Sequence, residues 1–114
     1  MGELLVQLRL LQHGIQAAPP IKDSGNDLIA LRGFVTRTIQ VKTTTDGVPP
    51  WPKVARMYHL LAIVRLEGEE TDIFLDQSEI YLVPKDQLPG LPRDWNSLQP
   101  FALSAAHLSN LFAE

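Results

Sequence analysis

The sequence predicts an α+β fold: an N-terminal helix, a mixed central β-sheet of five to six strands and a C-terminal helix. Three features carry that expectation. Leu4, Leu8 and Leu11 recur at helical spacing near the start. Two apolar runs within residues 27–44 flank Gly33-Phe34, a Gly-X pair suited to a two-residue hairpin turn. Ser104, a good N-cap, precedes Leu108, Leu111 and Phe112. Helices bracketing a run of strands bury their apolar stripes on the sheet, which gives the layered plan.

Taken in order, residues 2–13 read as the first helix, with Leu5 beside the leucine stripe, Glu3 in the first turn, and Gly14 after His13 as terminator. A carboxylate in the first turn is favoured by the helix dipole, which is the plain structural reading of Glu3. Ile15 to Ala18 reads as a short strand stopped by Pro19-Pro20, and Lys22-Asp-Ser-Gly-Asn-Asp27 is turn chemistry, in which Asp23 is read as a turn former in preference to a spare acid. In the hairpin, a turn at Gly33-Phe34 makes Arg32 face Val35, Ile29 face Thr38 and Asp27 lie opposite Gln40. Directly opposed residues project to the same side, and Lys42, two residues on, shares it. Three polar side chains then meet on one sheet face, and a slip of one residue would turn them to the other.

Thr45 to Lys53 holds too many prolines for helix or central strand and is read as a loop. A short helical turn is expected across Lys53 to Tyr58. Leu60 to Leu66 is a nearly continuous apolar run, as in a buried central strand. Glu67 to Glu70 should turn, Ile73 to Leu75 and Glu79 to Val83 should be two further strands, and Pro84 closes the second. Pro89, Pro92 and Pro100 punctuate a mostly irregular passage before the helix that Ser104 opens.

Bulk composition bounds the function. The 114 residues, 45% hydrophobic and 20% charged, suit one small soluble domain spanning 1–114. Cysteine is absent, which excludes disulfides and thiolate metal sites and is compatible with a reducing cytoplasm. Met1-Gly-Glu3 puts an acid where a signal peptide has its basic region, and no apolar run approaches membrane-spanning length, so no membrane partner is expected. A net charge of −3 requires any nucleic-acid contact to be a local basic patch. Ser78 and Ser104 lack a Gly-x-Ser-x-Gly context, and no dinucleotide or phosphate-loop pattern occurs. His13, His59 and His107 are too scattered for a metal motif and suit helix-end or packing roles.

Glu3 in the first helix, Asp27 at the start of the second strand, and Gln40-Val41-Lys42 followed by Thr43 on the third form a set that resembles the PD-(D/E)XK nuclease superfamily, the restriction-endonuclease-like fold. Asn26 stands where the motif name has proline. Ile39 to Thr44 is similar to the glutamine-bearing branch, which includes some restriction enzymes and intron-encoded homing endonucleases. The resemblance covers residues 2–66 and implies a metal-dependent endonuclease using Mg²⁺ (or Mn²⁺), with Glu3, Asp27, Gln40 and Lys42 as the catalytic set. It makes Asp27 the principal metal ligand, supported by Glu3 directly or through water, by the Val41 backbone carbonyl, and by Gln40 through an amide oxygen that brings no charge. Lys42 would orient the water or stabilise charge developing in the transition state.

DNA, duplex or branched, is the implied partner. Thr43 and Thr44, either phosphate contacts or ordinary β-formers, lie beside the motif, and Trp51, Lys53 and Arg56 lie just after it, either as a contact loop or with the tryptophan packed inward. Lys22, with Arg9, Arg32 and Arg37, adds candidate phosphate-binding cations. Cutting both strands of a duplex usually takes two sites, so a homodimer is expected, with Leu108, Leu111 and Phe112 available to dock on a second subunit. Two alternatives stand beside this. Lys42 could be a gatekeeper on a solvated sheet edge, and the chain could be a catalytically inactive scaffold that binds nucleic acid or a protein.

Overall fold

The computed structural model describes residues 2–20, 27–52, 58–69 and 72–113, without the side chains of 68, 69 and 72–77. The elements run α1 (Gly2–Leu11), β1 (Gln16–Ala18), β2 (Leu28–Arg32), β3 (Val35–Thr44), β4 (Leu60–Glu69), β5 (Asp72–Pro84), α2 (Trp95–Leu98) and α3 (Ala105–Leu111). Short 3₁₀ turns at Lys85–Gln87 and Gln99–Phe101 flank α2. The strands lie side by side in chain order; β3 and β4 are parallel and every other neighbouring pair is antiparallel. This is the expected α+β plan with a mixed sheet.

The hairpin register is the expected one: Leu28 faces Ile39, Ile29 faces Thr38 and Arg32 faces Val35. Gly33 turns the chain at φ +60, a left-handed conformation that favours glycine. Alternation along the strands divides the sheet into two faces. Leu28, Ala30, Val35, Ile39, Val41, Leu60, Ala62, Val64 and Leu82 meet α1 and α3 on the first; Leu61, Ile63, Tyr81 and Val83 meet Tyr58, Leu88 and Leu98 on the second. The covering layer of the second face sits on β4 and β5. Towards β2, Ile29 and Leu31 of that face are exposed.

Four expectations are corrected. Helix α1 forms as expected, but it buries Leu5, Val6 and Leu10 and leaves Leu4, Leu8 and Leu11 about half exposed, at 48% to 59%. Leucines occur on both sides of this helix, so period alone did not fix which side faces the sheet. The turn expected from Glu67 does not begin there, because β4 continues to Glu69. The two strands expected from 73 to 83 are one, β5, so the sheet has five strands among the described residues. A register shift between Arg65 and Glu67 lets the long pair continue, and Ser78 Oγ accepts the Glu67 N–H at 3.0 Å beside that shift. The proline-punctuated passage also contains a helical turn, α2, capped by Asp94, whose side chain accepts from Ser97 N at 2.7 Å. The helical turn expected over residues 53–58 falls mainly on 53–57, outside the described residues.

Ser104 caps α3, accepting from His107 N at 3.1 Å, a contact of a kind that contributes about 1 kcal/mol. The expected subunit-docking role of this helix is replaced by an internal one: Leu108 and Phe112 are buried in the first-face core and Leu111 packs against it. Arg37 fastens the end of α3, donating from Nε to Leu111 O at 2.9 Å and from its terminal nitrogen to Ala113 O at 3.0 Å.

Tyr81 is the largest fully buried side chain among the described residues. Its hydroxyl donates to Glu79 Oε2 and accepts from Gln99 Nε2 at 3.3 Å. Burial, and then the bond to Glu79, pushes its pKa up to about 12. A phenol with a raised native pKa contributes stability that is fully present below the unfolded value of about 10 and is lost as pH rises through the native one. Denaturation curves should therefore show stability falling between about pH 10 and 12, and Tyr81→Phe should flatten that limb.

Candidate active site

The outermost β2–β3 pair is Leu28 with Ile39, and Asp27 lies just outside it, its N–H donating to Ile39 O at 2.9 Å. From there its carboxylate reaches across to β3. Asp27 Oδ2 accepts from Gln40 Nε2 at 3.0 Å and from the Val41 backbone N–H at 2.8 Å. The carboxylate thus stands in for the strand partner that Val41 lacks where β2 begins, which answers the requirement that a buried N–H be paired.

Gln40 is 9% exposed, and with its amide nitrogen on Asp27 its Oε1 is left buried and, among the described residues, without a hydrogen-bond partner. A buried orphan acceptor costs roughly 1–3 kcal/mol and calls for a water or an ion. Within an extended strand, the N–H and C=O of one residue point to the same neighbour. The Val41 carbonyl therefore points to the Asp27 side, beyond the last β2 pair. Lys42 is half-buried and, two residues after Gln40, projects from the same face; Gln40 pairs with Leu61 of β4 and Lys42 with Ile63.

The sequence-nominated residues divide into groups. Asp27, Gln40, Val41 and Lys42 come together at one end of the β2–β3 hairpin. Glu3 is exposed in the first turn of α1, the helix packed on the other sheet face. That turn starts close to the motif strand: a Cβ on Gly2 would collide with Thr43 Oγ1, one residue from Lys42. Thr44 is occupied by the turn after β3, its hydroxyl donating to Gly47 O at 3.0 Å and accepting from Asp46 N at 3.1 Å. Trp51 is half-buried and packs on the second-face cluster. Lys22, Asp23, Lys53 and Arg56 lie outside the described residues.

Of the other cations, Arg37 is spent on α3, Arg9 donates to Ser78 O at 3.0 Å, and Arg32 is exposed at the end of β2. The histidines keep structural roles: His59 Nδ1 accepts from Thr38 N at 2.9 Å, His107 Nε2 lies 2.7 Å from Leu82 O, and His13 is exposed after α1.

Among the described residues no group of three or more histidines, cysteines or acids gathers as a metal cage. The donors at the hairpin end are instead the oxygens of one carboxylate, one amide and one backbone carbonyl. Such a set suits a hard cation that keeps part of its water, and the orphaned Gln40 Oε1 is the atom such a cation would satisfy.

Two side chains escaped the sequence reading. Tyr58 and Lys85 join Trp51 around an apolar cavity of about 300 Å³, with Lys85 Nζ 4.7 Å from the Tyr58 ring centroid. The pairing of Leu60 with Pro84 brings them together across β4 and β5, and no local pattern announces it.

No protein-family model matches the chain, and no curated protein matches it. Among solved structures, the bacterial homing endonuclease I-Ssp6803I matches with a TM-score of 0.44 and 16% identity, over 75% of this chain. The chain spans 66% of the length of that structure.

Proposed function

We propose that the chain is a Mg²⁺- or Mn²⁺-dependent endonuclease that hydrolyses DNA phosphodiester bonds at the end of the β2–β3 hairpin. The observation that carries this reading is the Asp27–Gln40 pair, a carboxylate bonded to a buried amide whose oxygen has no hydrogen-bond partner among the described residues. Asp27, Gln40 Oε1 and the Val41 carbonyl would hold the ion, with Glu3 supporting them directly or through water. When bound, such an ion polarises the phosphate and lowers the pKa of an attacking water. The Val41 N–H and the Gln40 amide fix the orientation of the Asp27 carboxylate. Lys42 places an ammonium on the same face, where it orients the water or stabilises charge developing on the phosphate. A neutral amide in place of a second carboxylate points to one weakly held ion. Cutting both strands of a duplex takes two copies, so the reading includes a homodimer.

The test is cleavage of supercoiled and branched DNA across a Mg²⁺ and Mn²⁺ series, with metal binding followed by calorimetry. Lys42→Ala should slow cleavage by about 10²–10³-fold while metal binding survives. Equal cleavage by wild type and Lys42→Ala would remove the proposal.

One observation favours a second reading, a non-catalytic nucleic-acid-binding or protein-interaction scaffold. The Asp27 carboxylate already serves the Val41 N–H and the Gln40 amide, which is a complete structural role. Salt-sensitive DNA binding or partner binding, with no turnover and no calorimetric heat from either metal, would select it.

A further inference from the structure

The cavity beside β4 and β5 lies on the same sheet face as Gln40 and Lys42. Tyr58, which lines it, packs with Leu61, the β4 partner of Gln40, and Lys85 follows directly on β5. The cavity therefore lies across β4 from the Asp27–Gln40 pair, towards the start of β4 and the end of β5. Trp51, Pro52, Tyr58, Leu88 and Pro89 give it apolar and aromatic walls, and Lys85 supplies its charged group. No carboxylate is among the described lining residues. The Tyr58 hydroxyl has no hydrogen-bond partner among the described residues, and burial raises its pKa, so it stays a neutral donor. About 300 Å³ is the lower end of the small-molecule range.

A flat ring to stack on an aromatic wall, hydrogen-bonding edges for a hydroxyl and an anion for an ammonium describe a nucleotide. An aliphatic ligand would not stack on the aromatic wall, and a cationic one would meet the like charge of Lys85. Base stacking on aromatic side chains is also tolerant of sequence, which suits a cavity with so few polar groups.

We propose that this cavity receives an unpaired base of the strand being cut, stacked on Trp51 with its phosphate at Lys85. The substrate is then DNA with an unpaired or extrahelical nucleotide next to the cleaved bond, in preference to intact duplex. This rests on the hydrolytic reading for the word "cut", but the binding itself is independent of cleavage.

The experiment is a titration in EDTA of a duplex carrying one unpaired 2-aminopurine, against the same duplex fully paired. Wild type should bind the unpaired form about 10-fold more tightly and quench its fluorescence. Trp51→Leu should lose both preference and quenching, Trp51→Phe should keep both, and Lys85→Gln should lower the salt slope by about one. Circular dichroism on each variant separates loss of the pocket from loss of the fold. Equal affinity for the two duplexes, quenching that survives in Trp51→Leu, or a proline-rich peptide that binds here while the unpaired duplex does not, would each overturn the proposal. A parallel Mg²⁺ cleavage assay separates the two ideas. Preferential binding without cleavage keeps the pocket and sinks hydrolysis, and equal binding and cleavage of both duplexes does the reverse.

Discussion

Asp27→Asn is expected to fold and to lose metal-dependent cleavage by more than about 10³-fold, the scale on which removal of a group at the reacting centre is felt. The substitution preserves shape and one acceptor oxygen. It removes the charge that would hold the cation, and it weakens two hydrogen bonds, from Gln40 Nε2 and Val41 N, that are now made to an ion. Bonds to charged groups are worth roughly 1.5–3 kcal/mol against about 1 for neutral ones, so a stability loss of about 1–2 kcal/mol should accompany the change. Thermal unfolding and plasmid cleavage on one preparation read both effects. Wild-type cleavage by Asp27→Asn would end the hydrolytic reading; a collapsed fold would show that the carboxylate serves the ladder more than any ligand.

Gln40→Glu should have the largest effect on stability. Gln40 is buried, and its amide nitrogen is a donor to Asp27. Glutamate replaces that donor with a second carboxylate facing the first, so a hydrogen bond becomes a like-charge contact out of water. An uncompensated charge at a buried position costs about 3–5 kcal/mol. One of the two carboxyls will then have a raised pKa. The native state holds that proton more tightly than the unfolded chain, so the penalty shrinks as pH falls and grows as pH rises. A divalent cation should offset it, because ligand held by the folded state alone stabilises that state. The expected record is a large drop in melting temperature in EDTA, recovered by Mg²⁺ or Mn²⁺ more strongly than in wild type. An unaltered melting temperature in EDTA would contradict the packing of the pair, and no recovery with either metal would contradict a cation site.

What the sequence revealed here depended on local chemistry. The hairpin was legible because Gly33 fixes the turn, and a fixed turn fixes which residues oppose each other; Asp27 and Gln40 followed from that alone. The cap at Ser104 was legible for the same reason, since its hydroxyl acts within one turn. Longer-range facts were hidden. The parallel pairing of β3 with β4 joins Ile39 to Leu60 across a loop with no periodic pattern, and the cavity at Tyr58 and Lys85 is a consequence of that pairing and the next. Leucines on both sides of α1 left its rotation undetermined, and the join of two apolar runs into β5 depended on a register shift in its partner strand. Glu3 belonged to the resemblance rather than to geometry, and it stands on a helix whose contacts are with the first face.

β1 is three residues long and is followed by Pro19 and Pro20, which carry no amide hydrogen, while Gln7 Nε2 already donates to the Ala17 carbonyl at 3.0 Å. An approaching foreign backbone finds little to zip onto along that border. Backbone zippering of a second copy onto this border is therefore disfavoured, and fibrillar growth from this flank is discouraged by construction.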